Sequence, residues 1–150
     1  ARRFLETAPI ARPVIYTLAG CAPRERCVIE RTENDFFTRE EDTCAANDWV
    51  PRRSGWEGRI GTRRFLVCSF DEAAGFSRAR RDALADWRGS LSDNSFGWVR
   101  EPVLNPYTRL AVAMSPAGGM LRVVGYDITD DVLPQPVTQL REVEALQQAA

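Results

Sequence analysis

The spacing of apolar and polar positions divides the chain into segments of different period. Phe4, Leu5 and Ala8 share one helical face, and Pro9 stops the run because its ring cannot continue a helix, so Ala1–Ala8 predicts the end of a helix. Val14-Ile15-Tyr16-Thr17-Leu18 is β-branched and aromatic and closes at Gly20, which predicts a strand. A second strand is predicted over Cys27–Thr32 after the polar turn Ala22–Glu25, and a third over Phe36–Arg39 after the turn signal Asn34-Asp35. Thr43–Ala46 predicts a fourth, delivering Asn47 at its end. Four short strands in series predict an antiparallel meander.

The period then changes. Pro51–Gly58 reads as a polar loop flanked by Trp49 and Trp56. Phe65, Leu66 and Cys68, then Phe76–Trp87, read as two helices, with Ser77 as N-cap of the second. Gly89–Pro106, rich in Ser, Asp, Asn and Gly, is a long irregular connection, and connections of that length usually carry function or pack over something. Arg109–Met114 and Met120–Tyr126, joined by Ser115-Pro116-Ala117-Gly118-Gly119, predict a hairpin. The tail holds Pro134 and Pro136 and ends in Val137–Gln148, read as a polar helix gripping through Leu140, Val143 and Leu146. Helices and strands are segregated rather than alternating, which predicts an α+β fold with helices packed on an antiparallel sheet.

With 150 residues the chain is long enough for one domain with a substantial core, and 44% hydrophobic against 27% charged residues is an ordinary globular balance. No apolar run approaches the roughly 18 residues of a membrane span. The net charge is -1, which removes the electrostatic warrant for a nucleic-acid partner. All 20 basic residues are Arg, and there is no Lys and no His. Ser/His/Asp and Cys/His catalysis, a P-loop lysine, a Schiff-base lysine and histidine-ligated zinc are therefore excluded within this chain. Neither a metal nor a cofactor is expected, and any chemistry must run through Cys, carboxylates, Arg, amides or hydroxyls.

The chain begins at Ala1 with no Met and no leader-like apolar stretch, which reads as a processed start or a piece of a longer protein. Cys21, Cys27, Cys44 and Cys68 are even in number but show no CxxC spacing. They read as buried or half-buried free thiols behaving as small apolar groups, with a structural disulfide as the alternative.

Several segments carry a resemblance in their order and spacing. Ala8-Pro9-Ile10…Pro13, Tyr16-Thr17-Leu18-Ala19-Gly20, Cys27-Val28-Ile29-Glu30-Arg31 and Ala46-Asn47-Asp48-Trp49-Val50-Pro51 are followed by Arg59, Arg63-Arg64 and Pro102-Val103-Leu104-Asn105-Pro106-Tyr107-Thr108. Over most of residues 8–126 the chain resembles the later part of the catalytic subunit of the acid ceramidase and N-acylethanolamine acid amidase family. The resemblance implies an N-terminal-nucleophile hydrolase with an αββα sandwich, in which an N-terminal cysteine attacks an amide carbonyl and its own α-amino group is the base. An α-amino group titrates at about 7.7–8.0, so such chemistry needs no histidine.

The implied division is residues 1–128 as the C-terminal portion of the catalytic domain and 129–150 as a Pro-containing tail with a short terminal helix. Nothing here matches the family's nucleophile segment. Cys21 follows Gly20, a superficial cleavage signature, yet its order places it in the turn between two later strands. The family's Thr before the Asn is Ala46 here, and the Asn-to-Trp interval is shorter.

The matched Asn47 takes the oxyanion role, since an amide donates two hydrogen bonds toward developing charge; the plain alternative is a turn or cap asparagine before Asp48. Arg59 matches the arginine that orients the nucleophile or a nearby carboxylate, with Arg63 as an alternative register and a solvated surface charge as the plain reading. Trp49 and Trp56 could wall an acyl-chain pocket, or simply pin the loop to a core. Arg78, Arg80, Arg81 and Arg88, interleaved with Asp82 and Asp86, read as a solvated, salt-bridged helix face.

The function implied is thus part of a cysteine amidase acting on a linear N-acyl amide, completed by an upstream segment of the same polypeptide or by another chain. The alternative is a non-catalytic half-sandwich that binds a small amphiphile or a partner chain. An open sheet edge leaves association into a homodimer open.

Overall fold

The computed structural model describes residues 1–50, 69–90, 95–129 and 133–144. It is α+β, with antiparallel sheets and few helices, as the segregated pattern predicts. By contact density the chain forms two units, Ala1–Ala19 with Glu25–Ala85 and Gly20–Arg24 with Asp86–Ala150.

The first unit is built on a three-stranded meander of β1 (Val14–Ala19), β2 (Arg26–Arg31) and β3 (Phe36–Arg39). Val14 pairs with Arg31 and Ala19 with Arg26; Val28 pairs with Arg39 and Arg31 with Phe36. Central β2 is buried on both faces from Cys27 through Arg31. Val28 and Ile29 are fully enclosed, each worth about 1.5–3 kcal/mol of burial.

Helix α1 (Arg2–Thr7) ends where Pro9 requires it. Its last carbonyls are collected by Arg31, whose Nη1 donates to Leu5 O (3.2 Å) and Glu6 O and whose Nη2 donates to Ala8 O (2.8 Å). A cation on those carbonyls also suits the negative end of the helix. Glu6 accepts from Thr38 on β3 at 2.7 Å, so α1 is tied to both β2 and β3.

Helix α2 (Phe70–Asp86) begins earlier than the sequence reading places it. Ser77 is not its N-cap but a fully buried interior residue. The cap is Ser69, which forms a reciprocal box with Glu72: Ser69 N and Oγ donate to Glu72 Oε2 (2.7 and 2.8 Å), and Glu72 N donates to Ser69 Oγ (3.3 Å). Gly75 sits inside the helix, tolerated at about 1 kcal/mol relative to Ala. The helix read around Phe65–Cys68 lies outside the described residues.

Thr43–Ala46 is not a strand. Among the described residues the meander ends at β3, and this segment runs as irregular chain held by side chains instead of a ladder.

In the second unit β4 (Leu110–Ser115) and β5 (Met120–Asp127) form the hairpin the pattern predicts, with Leu110 opposite Gly125 and Ser115 opposite Met120. Gly119 closes the turn at φ 60, a conformation in which a side chain is strained. The core gathers Phe96, Ala111, Ala113, Val124 and Tyr126, with Trp98, Val99, Leu104 and Leu140 packed against them. Residues 96–104 of the irregular connection therefore cover one sheet face, as its length suggests.

The tail departs from the helix read over Val137–Gln148. Its described part runs antiparallel along β5 as β6 (Gln135–Pro136) and β7 (Arg141–Glu144), with Gln135 opposite Asp127 and Glu144 opposite Met120. Between them residues 137–140 of the tail loop out opposite Val124 and Gly125, and the Gly125 N–H donates to Thr138 Oγ1 at 2.8 Å; a Cβ at Gly125 would lie 3.0 Å from Thr138 Cγ2. The edge of β5 offers backbone partners that a short polar helix lacks, and Leu140 packs against the core from between β6 and β7.

The opposite sheet face carries Leu110, Val112 and Met114 from β4, all exposed, beside Leu121, Val123 and the exposed Val143. Among the described residues no helix is long and apolar enough to cross a membrane.

Candidate functional site

The segment 40–50 follows β3 and contains Asn47, Asp48 and Trp49, the region where the resemblance concentrates its functional residues. With no ladder of its own, it is held by side chains from three elements of the first unit: those of Glu30 and Arg39 on β2 and β3 meet its backbone, and those of Arg78 and Arg80 on α2 meet its side chains.

From below, β2 and β3 contribute a buried ion pair. Arg39 Nε donates to Glu30 Oε1 at 3.1 Å, with both side chains almost wholly out of solvent. The rest of the Arg39 fork turns to the segment: Nη1 donates to Asp42 O and pairs with Asp42 Oδ2 at 3.1 Å, and Nη2 donates to Cys44 O at 3.0 Å. Both oxygens of Glu30 accept from the backbone N–H of Val50, at 3.2 and 3.1 Å. Burial pushes the Glu30 carboxyl above its usual range, opposed by the Val50 N–H and by the charges of Arg39 and Arg81.

From the side, α2 contributes two arginines. Arg80 Nη2 donates to Asn47 Oδ1 at 3.0 Å, and Arg78 Nη1 pairs with Asp48 Oδ2 at 3.4 Å. The sequence pattern predicts a solvated, salt-bridged helix face; Arg78 and Arg80 instead reach across to the segment, while Arg81 keeps the local pairing with Asp82 at 3.6 Å. Burial lowers the Arg80 guanidinium from its ordinary value, though an arginine stays charged throughout.

The Arg80 contact fixes the orientation of the Asn47 amide. A guanidinium has only donors, so the atom it holds must be the amide oxygen; the reverse orientation would set an –NH2 group against N–H groups. Nδ2, the donor end, is thereby turned away from Arg80 on an exposed residue. Trp49 is half-buried beside it, with its N–H on Asp48 Oδ1 at 3.0 Å.

Asn47 and Trp49 thus share one braced segment. Arg59 and Trp56, the other expected site residues, lie outside the described residues. Cys21, Cys27 and Cys44 are unpaired thiols, and no metal-binding cluster occurs among the described residues. The Cys44 thiol is pushed up by burial and by Asp42, against the opposing charges of Arg39, Arg26 and Arg81, which is the reverse of an activated nucleophile. Cys21 is exposed in the turn between β1 and β2, away from any strand start a terminal nucleophile would need.

Sequence reading missed Glu30, Arg39, Arg78 and Arg80 as parts of this region. A signal for the first existed: a Glu directly after Cys27-Val28-Ile29 in a predicted strand needs a charged partner if that strand is central. Nothing local pointed α2 at Asn47.

Compared with protein-family models, with curated proteins and with solved structures, the chain matches none.

Proposed function

We propose that this chain is the later portion of an N-terminal-nucleophile cysteine amidase that hydrolyses a linear N-acyl amide of the ceramide or N-acylethanolamine kind. In this reading Asn47 donates to the oxyanion, Arg59 orients the nucleophile, Trp49 and Trp56 wall the acyl chain, and the nucleophile comes from a segment outside this chain. The observation that carries the reading is the oriented amide of Asn47: its oxygen is occupied by Arg80 at 3.0 Å, so its N–H donors face outward, as an oxyanion donor requires. The apolar outer face of the β4–β5 sheet, with Met114 62% and Leu110 60% exposed, fits one half of a sandwich that packs on another sheet. The exposure of Asn47 fits a site whose water-excluding wall comes from the other half.

The test compares two proteins on a fluorogenic fatty-acyl amide: the 150-residue chain, and the polypeptide extended by the reading frame upstream of Ala1. The reading expects no turnover from the first, and turnover from the second that is lost when its N-terminal cysteine is replaced. Turnover by the short chain that disappears in Cys21→Ala would place the nucleophile at Cys21. Inactivity of both proteins favours a non-catalytic module that binds through the apolar face.

A further inference from the structure

We propose that the buried Glu30–Arg39 pair is a positioning brace, which sets the place of the Asn47 amide by clamping the chain on both sides of it. The catalytic consequence rests on the amidase reading; the mechanical claim does not.

Burying an ion pair in a central strand is costly, and apolar residues of similar volume usually serve stability as well or better. Here Glu30 directly follows the fully buried, apolar Val28 and Ile29, so the pair sets charge against an apolar run. What it gains is reach. Besides the bond that joins them, the hydrogen bonds of Glu30 and Arg39 go to the segment after β3: Asp42 and Cys44 on one side, Val50 on the other. Asn47 lies midway between Cys44 and Val50, so fixing those two points fixes the arc that carries it. Asp42 closes the first point by accepting from Cys44 N at 3.3 Å. Arg80 then selects the orientation of an amide whose location the brace has already set.

Hydrogen exchange on the 150-residue chain reads the brace directly, with Val28 as reporter of the sheet and Val50 as reporter of the clamp. In the wild type, Val50 N–H is expected to be strongly protected although Val50 itself is exposed and outside any ladder. In Glu30→Gln, one oxygen and the charge are lost, and Val50 should exchange on the order of tenfold faster or more while Val28 stays protected, with the Asn47 side-chain amide signals shifted. Unchanged exchange at Val50 and unchanged Asn47 signals in a folded Glu30→Gln protein overturn the brace.

Should that variant not fold, the wild type decides alone, because a Val50 N–H that exchanges like an unprotected amide also overturns it. In the extended enzyme, Glu30→Gln should lower kcat by about the same factor as it loosens Val50, with KM little changed. A loosened Val50 with unaltered kcat upholds the brace and removes Asn47 from the chemistry, which separates the two claims.

Discussion

Arg80 on α2 donates to the amide oxygen of Asn47 at 3.0 Å, a bond between residues 33 positions apart that decides which end of the amide is offered outward. Arg80→Ala leaves that amide able to rotate. In the extended enzyme kcat should fall on the order of tenfold with KM nearly constant, while the urea midpoint reports a stability change within about 1 kcal/mol, the usual range for a partly exposed polar contact. Arg80→Lys, which keeps a donor, should recover part of the loss. Equal kcat for Arg80→Ala and wild type contradicts the orienting role.

The buried pair makes a prediction about pH. The native Glu30 carboxyl lies above its ordinary value of 4.5, so its contribution to stability is fully present below that value and is lost as pH rises through the elevated native one. Relative to Glu30→Gln, which cannot titrate there, the wild type should therefore lose urea midpoint steadily as pH rises from 4 toward 7. A constant difference across the range contradicts the shift. Arg39→Met leaves the carboxylate without its nearest cation and should cost about 3–5 kcal/mol at neutral pH, less in acid where Glu30 takes up a proton.

Helix α2 offers two opposed substitutions. Ser69→Ala removes the capping box and should lower stability by about 0.5–2 kcal/mol. Gly75→Ala meets nothing within 4 Å and should raise it by about 0.5–1 kcal/mol. Thermal unfolding of the two variants checks both signs.

How far the sequence carried differs between elements. A β-branched and aromatic run marked β1, polar turns marked the starts of β2 and β3, and the turn over residues 115–119 marked the β4–β5 hairpin, because those signals are local. The Ser69-x-x-Glu72 box is equally local, a capping signature eight residues ahead of Ser77. The tail could not be read locally: Val137–Gln148 has a plausible helical spacing, and only the free edge of β5 makes Arg141–Glu144 a strand. Asn47 and Trp49 were reached by resemblance. What holds them came from Glu30, Arg39, Arg78 and Arg80, long-range partners whose charges look like surface in one dimension.

The outer face of the β4–β5 sheet predicts association. Light scattering at high concentration should show the 150-residue chain as larger than a monomer, and Met114→Glu with Val112→Asp should return it toward monomer without lowering its urea midpoint by more than about 1 kcal/mol. A wild-type chain that stays monomeric and binds no apolar dye contradicts this.

In the proposed amidase Asn47 donates to developing negative charge, so the decisive variant is Asn47→Ala in the extended enzyme, read through kcat on a simple amide and the urea midpoint of the same protein. Loss of one preorganised donor predicts a fall in kcat on the order of 10²–10³, about 2.7–4 kcal/mol of transition-state stabilisation, with KM and the urea midpoint little changed. A near-normal kcat together with about 0.5–2 kcal/mol of lost stability is what a turn or cap asparagine gives, and would contradict the account.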